Sequence, residues 1–117
     1  MTHSASVDQE EIKNFERLAD QWWDPTGPMQ PLHQMNPLRL KFIRDHLVGH
    51  FPQEVEGITS LKGLSLIDVG SGAGLLTEPL ARLGATITGL DLAESSLEIA
   101  RHRAAEQGLN ITYVNSS

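Results

Sequence analysis

The fold of this 117-residue chain is decided by one stretch, residues 64–74, which reads Leu-Ser-Leu-Ile-Asp-Val-Gly-Ser-Gly-Ala-Gly. Its first six residues are mostly apolar, which is typical of a short strand buried in a parallel sheet. Glycines then stand at 70, 72 and 74, where a strand must turn into a helix while a ligand approaches the backbone. This order of strand and glycine turn indicates an α/β fold.

The pattern continues downstream with two more helix and strand pairs. We predict a helix at Leu75–Leu83, a strand at Ala85–Leu90, a helix at Ala93–Gln107 and a strand at Ile111–Val114. The resulting unit is βαβαβ. Right-handed crossovers would place its strands side by side in the order 3-2-1, which is half of a doubly wound sheet.

Two helices are predicted before this unit. Apolar residues at helical spacing indicate the first, at Val7–Trp22, and the proline-rich and glycine-rich segment after it predicts irregular structure as far as Met35. Asn36-Pro37 is a favourable helix start, so the second helix is expected from there to Gly49 or His50. Residues 52–63 look like a connector. We therefore expect a helical leader or lid at residues 1–60 and a half-sheet at 61–117.

Composition excludes several functional classes. The chain has fifteen acidic and nine basic side chains, a formal charge of −6, which argues against nucleic acid as a partner. It has no cysteine, so disulfides and thiolate metal sites are excluded, and no metal is expected. No targeting signal is visible and no apolar run approaches the length of a membrane span, which makes the cytoplasm the expected location.

Asp91 is the first candidate binding residue. It lies twenty-one residues beyond Gly70, at the tip of the second predicted strand. A carboxylate there can accept both hydroxyl hydrogens of a ribose, and the full order of strand, glycine turn, helix, strand and acid predicts a nucleoside-cofactor site. The alternative is that Asp91 caps the helix that follows it.

Glycine spacing separates two cofactor classes. Dinucleotide-binding oxidoreductases use G-x-G-x-x-G, but position 75 is Leu and the third glycine stands at 74. The sequence instead reads D-x-G-x-G-x-G from Asp68, which resembles motif I of class I S-adenosylmethionine-dependent methyltransferases. Asp68 is then expected either to help hold the ammonium group of the cofactor or to bond loop amides structurally. An NAD(P)-binding oxidoreductase domain is the alternative function.

The leader carries a more specific resemblance. Its two motifs read Phe15-x-x-x-Ala19-x-x-Trp22-Trp23-Asp24-x-x-Gly27 and Pro31-Leu32-His33-x-x-Asn36-Pro37-x-Arg39-Leu40. These motifs resemble the leader of the ubiquinone-biosynthesis O-methyltransferase family, and the resemblance extends from about Ile12 to the last residues. It implies S-adenosylmethionine as cofactor and polyprenylated, catechol-type phenols and quinols, namely a 2-polyprenyl-6-hydroxyphenol and a 3-demethylubiquinol, as substrates.

Carried over by position, the resemblance implies cofactor binding by Arg39, Gly70 and Asp91, and Asp68 and Gly72 of the glycine loop complete the predicted set. The alternative for Arg39 is a solvated side chain paired with a neighbouring acid. The loop departs from the family pattern at Ser71, where Cys is usual, and at Ala73, where Gly is frequent. The Ser71 hydroxyl could add a hydrogen bond that a thiol makes poorly.

The family continues beyond Ser117, so the sequence predicts a truncated half-sheet that lacks the substrate half, and no catalytic residue is nominated. Among the histidines only His33 lies in the leader motif, where we weigh a hydrogen bond that fixes a loop against direct substrate contact. For the tryptophans, core packing is expected for Trp22, and Trp23 stays open between core and an aromatic wall of a lid. A non-catalytic fragment, and peripheral contact with the inner membrane face or a ubiquinone-biosynthesis complex, remain compatible.

Overall fold

The computed structural model describes residues 5–50 and 60–117. Its elements are α1 (Ala5–Trp23), α2 (Gln30–His50), β1 (Ser65–Val69), α3 (Thr77–Arg82), β2 (Thr86–Asp91), α4 (Glu94–Glu106) and β3 (Thr112–Asn115). The predicted α/β class is confirmed, with two helices ahead of a βαβαβ unit. The predicted connector lies largely outside the described residues, and its last four residues, 60–63, form a turn before β1.

The three strands form one parallel sheet in the order β1-β2-β3, which is the predicted order 3-2-1 read from the other edge. In the register, Asp68 of β1 lies opposite Gly89 of β2, and Gly89 lies opposite Tyr113 of β3. Residues in one such row point to the same face of a sheet. The glycine in the middle of this row leaves room that the Tyr113 ring and the Ser71 hydroxyl occupy.

The core lies on one face of the sheet, where two clusters of buried side chains meet. The first joins the turn before β1, α3 and β2 through Leu61, Leu76, Leu80, Ala85 and Ile87, with Leu40, Ile43 and Leu47 of α2 packed against it. The second joins α4 and β3 through Leu97, Ala100, Ala104 and Tyr113. Both crossovers run in the same direction across the sheet, so α3 and α4 cover the same face.

The opposite face of the sheet is open among the described residues. Its side chains alternate with the core positions along each strand, and Ile67 and Val69 of β1 are 68% and 72% exposed. Val114 of β3 is 39% exposed. This arrangement leaves an apolar sheet face in contact with solvent.

The predicted start of α2 is wrong. The helix begins at Gln30, so Pro31 is the proline of its first turn, where a missing N–H costs nothing, and Pro37 lies inside the helix. The Gln30 amide donates to the Gly27 carbonyl at 3.0 Å, which ties the helix start to the preceding turn. Asn36 does not cap a helix, because its Nδ2 donates instead to the Leu75 carbonyl at 2.6 Å.

Smaller differences concern the ends of the other elements. Residues 5–23 make α1 longer than predicted, and α3 starts two residues late because residues 72–76 still belong to the turn that leaves the glycine loop. None of the described helices combines the length and the apolar character that crossing a membrane requires.

Candidate functional site

The glycine loop joins β1 to α3 and is anchored on β2. Gly70, Gly72 and Gly74 have φ angles of +74°, +55° and +93°, in the left-handed region that side chains other than glycine rarely adopt. The amides of Gly70 and Ser71 both donate to the Leu90 carbonyl, at 2.8 and 2.9 Å. The loop is therefore held at the carboxyl ends of β1 and β2, where ligands bind in open α/β sheets.

The three loop glycines have different surroundings. A Cβ placed on Gly72 would lie 2.8 Å from Cη2 of Trp22, and one on Gly74 would lie 2.6 Å from the Tyr113 hydroxyl oxygen. A Cβ on Gly70 would meet no atom within 4 Å. Of the three, only Gly70 thus offers open space beside the backbone, which is the room that a ligand needs.

Asp91 reaches the loop from the end of β2. Its Oδ2 accepts a hydrogen bond from the Gly72 amide at 2.9 Å, and its Oδ1 accepts one from the Ala93 amide at 2.8 Å. Ala93 is the N-cap residue of α4, so Asp91 supports the helix start from two residues earlier rather than capping it. Because a carboxylate has about four acceptor sites, these two bonds leave capacity for the hydroxyls of a ligand.

Asp68 lies in the same region, at the end of β1. Its Oδ2 accepts a hydrogen bond from the Thr77 hydroxyl at 2.7 Å. Burial raises the pKa of Asp68, against the opposing effects of the Thr77 hydrogen bond and the positive charge of Arg39. Among the described hydrogen bonds, none joins Asp68 to an amide of the glycine loop. The structural bond that Asp68 makes is instead to the side chain of Thr77, the first residue of α3.

Arg39 projects from α2 and is exposed. None of the ion pairs among the described residues includes it, whereas its neighbours Lys41 and Arg44 both pair with Asp45. The positive charge of Arg39 lowers the pKa of Asp68, which opposes the raising effect of burial. Arg39 is therefore a cation near enough to act on Asp68, and the described contacts contain no ion pair between Arg39 and a neighbouring acid.

These residues suit a zwitterionic nucleoside ligand. Gly70 leaves open space at the backbone, Arg39 supplies a positive charge, and Asp68 and Asp91 supply negative charges. A ligand carboxylate is complementary to the guanidinium, an ammonium to the Asp68 carboxylate, and ribose hydroxyls to Asp91. S-adenosylmethionine has all three of these groups, so the residues present fit it.

The leader packs directly on the loop, which the sequence did not predict. Trp22, expected in the core, lies against Gly72, and Trp23 donates from Nε1 to the Ala73 carbonyl at 3.2 Å. His33 lies 2.9 Å from the Trp22 carbonyl through Nε2, so it makes the chain-fixing hydrogen bond that was one of its two alternatives. The two adjacent tryptophans stood out in the sequence, but their spacing could not show that they contact the glycine loop.

The Ser71 hydroxyl does not make the hydrogen bond that was expected from the sequence. Its Oγ is buried and has no hydrogen-bond partner among the described residues. The oxygen instead lies close to β2, where a Cβ on Gly89 would be 2.8 Å away. The hydroxyl therefore adds no hydrogen bond relative to the thiol that is usual in the family pattern.

Comparisons with known proteins concern the fold and the family of this chain. Residues 66–117 match the methyltransferase domain family. Over 113 residues the chain is 47% identical to a ubiquinone biosynthesis O-methyltransferase of Azorhizobium caulinodans, covering 97% of this chain and 45% of that protein. A protein of the same name from Methylobacterium nodulans is 48% identical over 112 residues, covering 96% of this chain and 45% of its own. The chain thus spans less than half the length of these curated relatives.

Solved structures share the fold. The magnesium protoporphyrin IX methyltransferase of Synechocystis PCC 6803 with bound SAH superposes with a TM-score of 0.64 at 23% identity, over 90% of this chain and 47% of that one. A 16S rRNA methyltransferase of T. thermophilus, in complex with AdoMet and guanosine, gives 0.55 at 26% identity, over 68% of this chain and 19% of that one. The predicted class I methyltransferase fold and the resemblance to the ubiquinone-biosynthesis family are confirmed.

Proposed function

We propose that this chain, which shares the methyltransferase fold and resembles the ubiquinone biosynthesis O-methyltransferases over nearly its whole length, is the cofactor-binding part of such an enzyme. S-adenosylmethionine is the cofactor of that family. The observation that carries the proposal is the open backbone at Gly70, bordered by Asp91 and by the opposite charges of Asp68 and Arg39.

Each residue of the site has a distinct role in the proposal. Arg39 neutralises the cofactor carboxylate, Asp68 receives its ammonium group, and Asp91 accepts from the ribose hydroxyls. Gly70 lets the cofactor approach the chain, and the Gly72 amide holds the Asp91 carboxylate in place. Residues 1–60 act as the leader and 61–117 as the first half of the cofactor-binding domain.

When bound, the cofactor would supply an electrophilic methyl group on a sulfonium, whose transfer to a phenolate oxygen of the acceptor would break the S–CH3 bond and leave S-adenosylhomocysteine. The contribution of this chain is to bind and orient, because fixing the methyl group against an acceptor removes much of the entropic barrier. Neither acid at the loop serves as a base in the proposal, because each is assigned to the cofactor. The acceptors implied by the relatives are polyprenylated phenols and quinols of the catechol type.

A polyprenylated acceptor partitions into lipid, so the proposed site of action is the cytoplasmic side of the inner membrane, reached by peripheral contact. Flotation of the chain with vesicles of neutral and anionic lipid tests this part separately. Recovery in the vesicle fraction is expected, and a chain that stays entirely in the aqueous fraction with both vesicle types contradicts it.

Calorimetric titration with S-adenosylhomocysteine and with NADH tests the cofactor assignment. The chain is expected to bind the first and not the second, because Leu75 stands where the third glycine of a dinucleotide loop would be. Binding of NADH alone contradicts the proposal. Asp91→Asn should weaken S-adenosylhomocysteine binding by about tenfold or more, since charge-assisted hydrogen bonds are lost. Asp45→Asn, an exposed change on α2, is the matched control and should leave binding unaltered.

Methyl transfer by the 117-residue chain to a catechol acceptor is a separate test. We expect none, because the leader histidine His33 is engaged with the Trp22 carbonyl and the proposal assigns both carboxylates at the loop to the cofactor. Binding of the cofactor product without turnover is therefore the expected combination. Turnover would show that a base is present in this chain.

A further inference from the structure

Trp23 connects the end of α1 to the glycine loop. Its indole Nε1–H donates to the Ala73 carbonyl at 3.2 Å, across fifty positions of sequence. Ala73 itself is fully buried between Gly72 and Gly74. A single hydrogen bond thus joins the leader to the backbone at the centre of the loop.

The indole ring is also contacted by an ion pair between a partly exposed arginine and a buried glutamate. The guanidinium of Arg103, on α4, lies over the Trp23 ring at 3.4 Å from the ring centroid. Arg103 is in turn held by Glu78, with Nε to Oε2 at 2.9 Å and Nη2 to Oε1 at 3.2 Å. Glu78 is fully buried in the first turn of α3, directly after the loop. Two hydrogen bonds to a buried carboxylate leave the guanidinium little freedom to move, so the indole is clamped.

Further contacts converge on the same loop from the leader. The Trp22 ring fills the space beside Gly72, and Asn36 of α2 donates to the Leu75 carbonyl at 2.6 Å. These two side chains contact the loop before and after Ala73. The leader therefore touches the loop at three successive points, with Trp23 in the middle.

We infer that Trp23 is a positioning residue, which holds the glycine loop in its cofactor-binding shape through the Ala73 carbonyl, under the clamp of Arg103 and Glu78. The leader then supports the loop directly and is more than a cover over the cofactor. This inference rests on the proposed function for its link to the cofactor, whereas the support of the loop is a property of the chain without ligand.

Trp23→Phe separates positioning from packing, because phenylalanine keeps an aromatic face for Arg103 and loses the N–H donor. Phe15→Leu is the matched control, since Phe15 contacts His102 across the same seam between α1 and α4 but not the loop. Urea unfolding of each variant would first establish that it is fully folded under the conditions used. Residue-resolved amide exchange of the ligand-free chain then reports on Gly72 and Gly74, whose amides donate to Asp91 and Ser71.

We expect exchange at Gly72 and Gly74 to accelerate by about fivefold or more in Trp23→Phe, the equivalent of one lost neutral hydrogen bond, with core amides of β2 unchanged. Phe15→Leu should leave the loop amides unchanged. Unaltered loop exchange in Trp23→Phe, or equal acceleration in both variants, would overturn the inference.

The link to the cofactor has its own readout. The dissociation constant for S-adenosylhomocysteine should rise by about fivefold or more in Trp23→Phe and stay unchanged in Phe15→Leu. Faster loop exchange with an unaltered dissociation constant would overturn the link to cofactor binding. A parent chain that binds no S-adenosylhomocysteine would contradict the proposed function, and the exchange result would still decide whether Trp23 positions the loop.

Discussion

The indole of Trp22 lies against the backbone of Gly72, where a Cβ would be only 2.8 Å from Cη2 of the ring. The two residues come from α1 and from the loop after β1, fifty positions apart. The absence of a side chain at 72 is therefore required twice, once by the φ of +55° and once by the leader.

Gly72→Ala should destabilise the chain by about 2 to 4 kcal/mol, because a left-handed backbone and an overpacked contact both add cost. Gly70→Ala has the same backbone strain without the contact, since nothing lies within 4 Å of that position, and should cost about 1 to 2 kcal/mol. Urea unfolding of both variants measures the difference, and equal losses would contradict a contact with Trp22.

A double-mutant cycle tests the same pair directly. Trp22→Phe shortens the ring that meets position 72, so the cost of Gly72→Ala in that background should fall by about 1 kcal/mol or more. Gly49→Ala, in α2 with no atom within 4 Å, is the control and should not depend on Trp22. Strict additivity of Trp22→Phe and Gly72→Ala would count against this packing.

Asp68→Asn should raise the stability of the chain at neutral pH and weaken its binding of S-adenosylhomocysteine. Burial raises the pKa of Asp68, so the folded chain favours the neutral carboxyl relative to the unfolded chain. The stability that this group contributes is fully present below the ordinary value of 3.8 and is lost as pH rises through the raised pKa. The variant should therefore gain stability over the parent at neutral pH and lose that advantage in acid.

The same variant should bind S-adenosylhomocysteine about tenfold or more weakly at neutral pH, because the ammonium group loses its charged partner. Urea titrations between pH 3 and 7 with calorimetry at pH 7 measure both effects. A variant that is less stable than the parent at neutral pH would show that the Asp68 charge supports the fold.

Ser71 and Thr77 should respond in opposite directions to loss of their hydroxyls. Ser71→Ala removes a buried oxygen that has no partner among the described residues, so the free energy of unfolding should stay equal or rise by about 1 kcal/mol. Thr77→Val removes the donor to Asp68 from a fully buried position and should cost about 1 to 3 kcal/mol. Thermal unfolding of both variants measures these changes in stability. A marked loss of stability in Ser71→Ala would show that the Ser71 hydroxyl has a hydrogen-bond partner.

The open face of the sheet should drive self-association of the 117-residue chain. Ile67 and Val69 are largely exposed there, and β1 pairs only with β2 among the described strands, which leaves an unpaired edge. Val69→Thr keeps strand propensity and removes apolar area, so the association constant should fall about tenfold. Leu38→Thr on α2, 74% exposed, is the control. Sedimentation velocity over a range of concentrations measures this, and a monomer at all concentrations would refute it.

The strands, α4 and the glycine loop could be predicted because their signals are local. Apolar runs of strand length, a period of 3.6 residues and glycines at a turn depend only on neighbours in the chain. The acid at 91 was predictable for the same reason, since its distance from Gly70 is fixed by one helix and one strand.

The features that the sequence did not predict depend on contacts between residues far apart in the chain. Pro37 lies inside α2 because the helix already begins after the turn at Gly27. Asn36 does not cap a helix, because its side chain donates to the Leu75 carbonyl. Tertiary packing also placed Trp22 and Trp23 against the loop and the Tyr113 ring beside Gly89. It buried the Ser71 hydroxyl, which has no hydrogen-bond partner within the described ranges. Sequence by itself determined which elements form and in what order. Only the tertiary structure decided which side chains share a space, because close packing depends on atoms that local periodicity does not place.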